Sequence, residues 1–175
     1  MAEANPIPAD AEADADSAVP AGFVPVLSGS GYMNSFGTFY VHPERRIVGA
    51  RVGDGHLNGL GIAHGGMLAT LADTAIGMIM MVEDKHGTPG VTATLSIDYL
   101  SAASPGDWVE AHVELDKMGS RLRFAGCRLM VGDRCVLKAS AVFAVMPAHR
   151  DGHLADNRPG GDRNARTWLE SLSHF

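Results

Sequence analysis

The chain is 175 residues long, 46% hydrophobic, with a net charge of −6 at pH 7; that is enough for one domain to bury a substantial core without disulfides. The charge is uneven: residues 1–22 carry five acids (Glu3, Asp10, Glu12, Asp14, Asp16) and no Lys or Arg, and in the remainder 15 acids face 14 bases. No basic stripe of the kind a nucleic-acid binder needs is visible. Cys127 and Cys135 are read as free thiols suited to a reducing compartment, and the acidic start lacks the apolar segment of a secretory signal, so a cytoplasmic protein is expected.

In chain order, residues 1–22 are too poor in large apolar residues to fold and are expected to be a disordered tail. A strand is then expected from Phe36 to Val41, and RIVGARVGDG makes a second strand ending in a turn. HLNGLGIAHGGMLATLADTAIGMIMMV, residues 56–82, reads as a loop followed by a long apolar helix starting near His64, closed by the Gly and Pro of HGTPG. VTATLSIDYL alternates Thr92, Thr94, Ser96 and Asp98 with Val91, Ala93, Leu95, Ile97 and Tyr99, as a strand does. WVEAHVEL, RLRFAGCRLMV and RCVLKASAVFAVM follow as strands joined by short turns, which imply antiparallel pairing. With a turn at Gly132-Asp133, Cys127 should face Lys138 rather than Cys135. Residues 147–175 are polar, with TWLESLSHF a short helix that docks by Trp168 and Leu172. A helix apolar on every side must be enclosed, so two strands, this helix and a four-strand meander predict an α+β fold: an antiparallel sheet wrapped around one long central helix. The domain is expected over residues 30–146.

From Gly65 to Val82 the helix holds one charged residue, Asp73. A carboxylate in such a run is costly unless something compensates. Gly65 and Gly66 fall in the first turn, where backbone N–H groups are unpaired and the dipole is positive, a suitable place for a developing oxyanion. Asp73 lies nine residues past His64, about 13 Å along the helix. Within one chain the two features cannot reach one carbonyl; in two antiparallel helices at a dimer interface they can, and Ala69, Ala72, Ala75 and Gly77 would permit close packing there. Taken alone, HGG reads as an ordinary tight turn, Thr92 as a plain strand threonine, and Asp73 as the N-cap of a helix beginning at Thr74.

Asn58, Gly61, His64-Gly65-Gly66, Asp73 and Gly77 form the pattern N-x-x-G-x-x-H-G-G-x₆-D-x₃-G, followed by GVTATLSIDYL. This closely resembles the hotdog-fold acyl-CoA thioesterases of the phenylacetate-pathway and human medium/long-chain type, within the 4-hydroxybenzoyl-CoA thioesterase-like superfamily, over roughly residues 30–146. The resemblance implies hydrolysis of acyl-CoA to acid and free CoA by a homodimer or dimer of dimers, with CoA as part of the substrate and no other cofactor. It implies that Gly65 donates its N–H to the thioester carbonyl, that Asn58 helps position substrate or water, and that His64, with Gly66 beside it, holds loop and substrate. Asp73 from the opposite subunit would activate water or attack directly, and Thr92 would assist the water. The rival of another class is a non-catalytic acyl-CoA or lipid-binding module of the same fold; binding alone does not require the acid.

Other motifs carry less. His149 and His153 have no third ligand nearby, so no metal site is expected. The apolar run near Met80 carries His64 and Asp73, which argues against a membrane span. Met67, Met78, Met80 and Met81 read as adaptable core filler. Arg121, Arg123, Arg128 and Arg134 read as solvated strand residues, one or two of them free to meet CoA phosphates.

Overall fold

Nineteen consecutive helical residues in the centre of the computed structural model, which describes residues 19–26 and 31–146, set the plan of the molecule. The elements are β1 (Val24–Val26), α1 (Gly31–Phe36), β2 (Phe39–His42), β3 (Ile47–Arg51), a 3₁₀ turn (Asp54–His56), α2 (Gly65–Glu83), β4 (Gly90–Tyr99), β5 (Trp108–Met118), β6 (Leu122–Val131) and β7 (Arg134–Val145). The strands form one antiparallel sheet in the order β1-β2-β3-β5-β6-β7-β4. Of the tail expected over residues 1–22, residues 1–18 lie outside the described residues, as do residues 147–175 with the expected C-terminal helix and the His149/His153 pair.

α2 begins as its sequence demands. His64 is extended and caps the helix, its Nδ1 accepting from the Gly66 N–H at 2.8 Å. Asp73 is therefore mid-helix and caps nothing. Met67, Leu68, Leu71, Ala72, Ala75, Ile76, Met78, Ile79 and Met80 are buried against the sheet. The helix is long and apolar enough to cross a membrane on length and composition, but half of it is buried inside this domain. Its uncovered stripe, Gly66, Ala69, Thr70, Asp73, Thr74, Gly77 and Met81, repeats at helical spacing.

α1 crosses part of that stripe: Tyr32 Oη meets Thr70 Oγ1 at 3.0 Å, and Thr74 Oγ1 donates to Met33 Sδ. Ala72 and Ala75 are fully buried, and a Cβ at Gly77 would stand 3.3 Å from Phe143. Ala72 and Ala75 thus let α2 press onto its own sheet, while Ala69 and Gly77 stay in the uncovered stripe.

The inner face of the sheet follows the expected alternation in β5, where Val109, Ala111 and Val113 are buried. The four-strand meander does not form. β4 leaves β5 and pairs with β7, because the connection after Tyr99 runs across the end of the sheet instead of turning back. Leu100 and Ser101 N–H groups bond Val136 O, Ala103 is buried, and Gly106 and Asp107 bond Val52. Bulges also shift register. One between Leu129 and Met130 sets Cys127 against Ala139 rather than Lys138; both cysteines are free. The first predicted strand begins three residues late, at Phe39, since Phe36 ends α1 and stacks on Phe39.

Candidate active site

The approach to α2 is a narrow loop held by Asn58. Its Oδ1 accepts from Leu60 N–H at 2.8 Å and Ile62 N–H at 3.5 Å, while its backbone pairs with Ile62 and Gly61. Gly61 closes this turn with φ of +72°, a conformation only glycine adopts cheaply. Leu57 bridges Ala63, and His64 N–H bonds His56 O. The His56 ring accepts from Gly53 N–H at Nδ1, so its Nε2 carries the proton donated to Phe36 O. The loop therefore delivers Asn58 and His64 to the helix start together.

Accounting for the first-turn donors singles out one of them. Gly66 N–H goes to the His64 ring, and Met67 and Leu68 N–H groups both go to His64 O. Gly65 N–H is left without an acceptor among the described residues, at the positive end of a 19-residue helix. Tyr99, at the far end of β4, donates from its hydroxyl to Gly65 O at 2.9 Å. Sequence reasoning missed Tyr99, placing it among apolar strand residues. Its signal was the phenol itself, which rarely goes without a hydrogen-bond partner.

Two turns further on, Thr92 Oγ1 donates to Asp73 Oδ1 at 2.7 Å. Strict alternation puts Thr92 on the opposite face of β4 from Leu95. A bulge between Thr92 and Thr94 reverses this, setting Thr92 opposite the buried Phe143 and toward the helix. Asp73 is half-buried and sits in the uncovered stripe rather than sealed in the core, so the cost anticipated for it is not incurred within one chain. The six expected site residues thus form two groups: Asn58, His64, Gly65 and Gly66 at the helix start, and Asp73 with Thr92 mid-helix. The eight residues from Gly65 to Asp73 separate them by about 12 Å.

Other ionisable groups have structural partners. Arg123, read from sequence as solvated, is only 6% exposed and pairs with Asp84, with a second bond to Thr88 O at 3.0 Å. The His86 N–H above all, with Thr88 and Arg123, holds the Asp84 carboxyl well below the usual carboxylate range against the opposing effect of burial. Arg134 is spent on Ala102 O, Ser101 Oγ and Asp107. Arg128 lines an open cleft of about 920 Å³ with Arg45, His112 and Lys138, on the sheet face turned away from α2. Arg121 is exposed. Burial, reinforced by the neighbouring Cys135, pushes the Cys127 thiol up to about 12, so it offers no thiolate. Among the described residues no group of three or more His, Cys, Asp or Glu is placed to hold a metal.

Residues 60–138, from the loop into the first half of β7, match the family model described as the thioesterase superfamily. A Pseudomonas aeruginosa protein named as an esterase is 39% identical over 128 residues, 71% of this chain and 96% of its own length. The acyl-coenzyme A thioesterase 13 of Mus musculus is 37% identical over 87 residues, half of this chain and 61% of its length. A thioesterase protein of Streptococcus pneumoniae, crystallised with coenzyme A, superposes with a TM-score of 0.54 at 30% identity, over 59% of this chain and 82% of its own. A relative matched along nearly its whole length and a shared sheet-and-helix architecture lead to one conclusion: the chain belongs to the thioesterase superfamily and is a thioesterase of the hotdog fold.

Proposed function

We propose that this chain hydrolyses acyl-CoA thioesters to a carboxylic acid and free CoA, in sites that each combine two copies of the chain. The observation that carries the reading is the pair of half-sites on α2. One has an unpaired N–H at Gly65, and the other has a carboxylate at Asp73 oriented by a hydroxyl. A thioester carbonyl needs both, and about 12 Å of helix keeps them apart within one chain. A second copy would bring its Asp73 to the first copy's Gly65. Support for CoA as the thiol comes from the mouse relative's name and from the coenzyme A bound in the Streptococcus pneumoniae structure.

β4 favours such pairing. It is a ten-residue edge strand with one side unpaired among the described residues, and Val91 on it is 50% exposed. A long exposed edge with apolar residues is a template for another strand. In the reaction as proposed, Asp73 takes a proton from water, whose oxygen attacks the carbonyl carbon. The negative charge moves to the carbonyl oxygen, which accepts from Gly65 N–H. The C–S bond then breaks, the carbonyl reforms, and the sulfur leaves with the proton. Thr92 fixes the carboxylate, His64 shapes the helix start, and Asn58 shapes the loop before it. The balance needs neither metal nor redox cofactor.

The test is thiol release from a panel of acyl-CoAs by wild type and Asp73→Ala, after both are verified as folded and of equal oligomeric state. Turnover by wild type and a fall of about a hundredfold or more in the variant are expected. Tight binding of acyl-CoA without thiol release would replace this reading with that of a binding module. Equal rates in both proteins would remove Asp73 from the mechanism.

A further inference from the structure

Glycine at position 65 is not required by its own backbone. Its φ is not among the positive values, unlike those of Gly61 or Gly87. What crowds a larger residue is Tyr99: a Cβ at Gly65 would stand 3.2 Å from Tyr99 Cζ and 3.3 Å from its hydroxyl oxygen, so the ring would have to shift. The ring lies where a side chain at position 65 would go, and its hydroxyl bonds the Gly65 carbonyl at 2.9 Å.

The peptide planes flanking Gly65 are both held. In the Gly65–Gly66 plane the carbonyl accepts from Tyr99 and the N–H donates to the His64 ring. In the His64–Gly65 plane the carbonyl accepts from Met67 and Leu68 N–H groups. Because each peptide is planar, fixing both planes fixes φ and ψ at a residue that otherwise has the widest freedom of any. The direction of the unpaired Gly65 N–H is thereby set. Tyr99 is also 55% exposed, so burial of its ring does not account for the contact.

β4 touches α2 by hydrogen bonds at two places, Thr92 to Asp73 and Tyr99 to Gly65. We infer that Tyr99 is a positioning residue for the reaction: it reaches from the edge strand to the helix start and aims the Gly65 N–H at the thioester oxygen. This rests on the proposed acyl-CoA hydrolysis. Donors of this kind work only when held where charge develops, and misplacement costs rate rather than ground-state affinity.

Tyr99→Phe removes the hydroxyl and keeps the ring. Steady-state thiol release should show kcat lowered about tenfold with KM within about twofold of wild type, since alignment matters most in the transition state. Amide resonances of Gly65 and Gly66 in the ligand-free protein should move, while thermal unfolding stays unchanged. An unaltered kcat in a variant whose wild-type parent turns over would overturn the inference alone. So would a kcat loss with unmoved Gly65 and Gly66 resonances, or one matched by a fall in unfolding temperature. Wild type that releases no thiol from any acyl-CoA would instead sink the underlying reading.

Discussion

A threonine hydroxyl has one proton to give, and Thr92 gives it to Asp73 at 2.7 Å. Thr92→Val keeps the branched shape and removes the donor, leaving the carboxylate free to rotate. A hydrogen bond to a charged group contributes about 1.5–3 kcal/mol, so kcat for acyl-CoA hydrolysis should fall about tenfold or more. Thr92→Ser should retain most of the rate. Gly61 makes a prediction about stability: its φ of +72° makes Gly61→Ala cost about 1 kcal/mol, read as a lowered unfolding midpoint. At this scale much of the candidate site was legible, because Asp73 alone in an apolar helix breaks a local rule and HGG gains meaning from its spacing to Asn58 and Asp73. Thr92 was legible only through the family pattern. Its face depends on a bulge at Ala93 that no alternation reveals. Tyr99 was hidden because a tyrosine on an apolar face looks like packing.

The elements hold together through contacts that the charge pattern disguised. Asp84 caps the C-terminal end of α2, and its carboxylate gathers His86 and Thr88 N–H groups and the Arg123 guanidinium. This clamp ties the end of the helix, the connection leading into β4, and β6 to one another. Both partners are largely buried, so Arg123→Met should destabilise by about 3 kcal/mol, measured by urea unfolding at neutral pH. The pH dependence has a definite sign. Asp84 titrates lower in the folded chain than its unfolded value of about 4, so its stabilisation is complete above that value and is lost as pH falls below it. Asp84→Asn should be less stable at pH 7 and should lack that part of the acid-induced loss. The sequence assigned β5, β6 and β7 well because their alternation matches their burial. It misassigned the neighbour of β4 because Ser-Pro-Gly-Asp has the composition of a hairpin turn. What decides the path is tertiary: Ala103 is drawn into the core and Leu100 and Ser101 bond Val136.

At the scale of the whole molecule, the two half-sites give a complementation test. If each site takes Gly65 from one copy and Asp73 from another, Gly65→Val and Asp73→Ala chains should each be inactive alone. Mixed and reassociated, half of the dimers are hybrids with one intact site of two, so about a quarter of wild-type activity should return. Sites contained in one chain would give no recovery. The sheet order has a consequence for synthesis as well. β4 is made directly after α2 but among the described residues pairs only with β7, Gly90 with Val145 and Tyr99 with Leu137. While a nascent chain lengthens from the N-terminus, the helix and this strand must wait for the last strand before the sheet can close. Until then an apolar helix lacks part of its cover and β4 has no neighbour on either side. A chain stopped before residue 134 should therefore stay on the ribosome as bait for chaperones, and release of a folded, protease-resistant domain should follow the emergence of Val145.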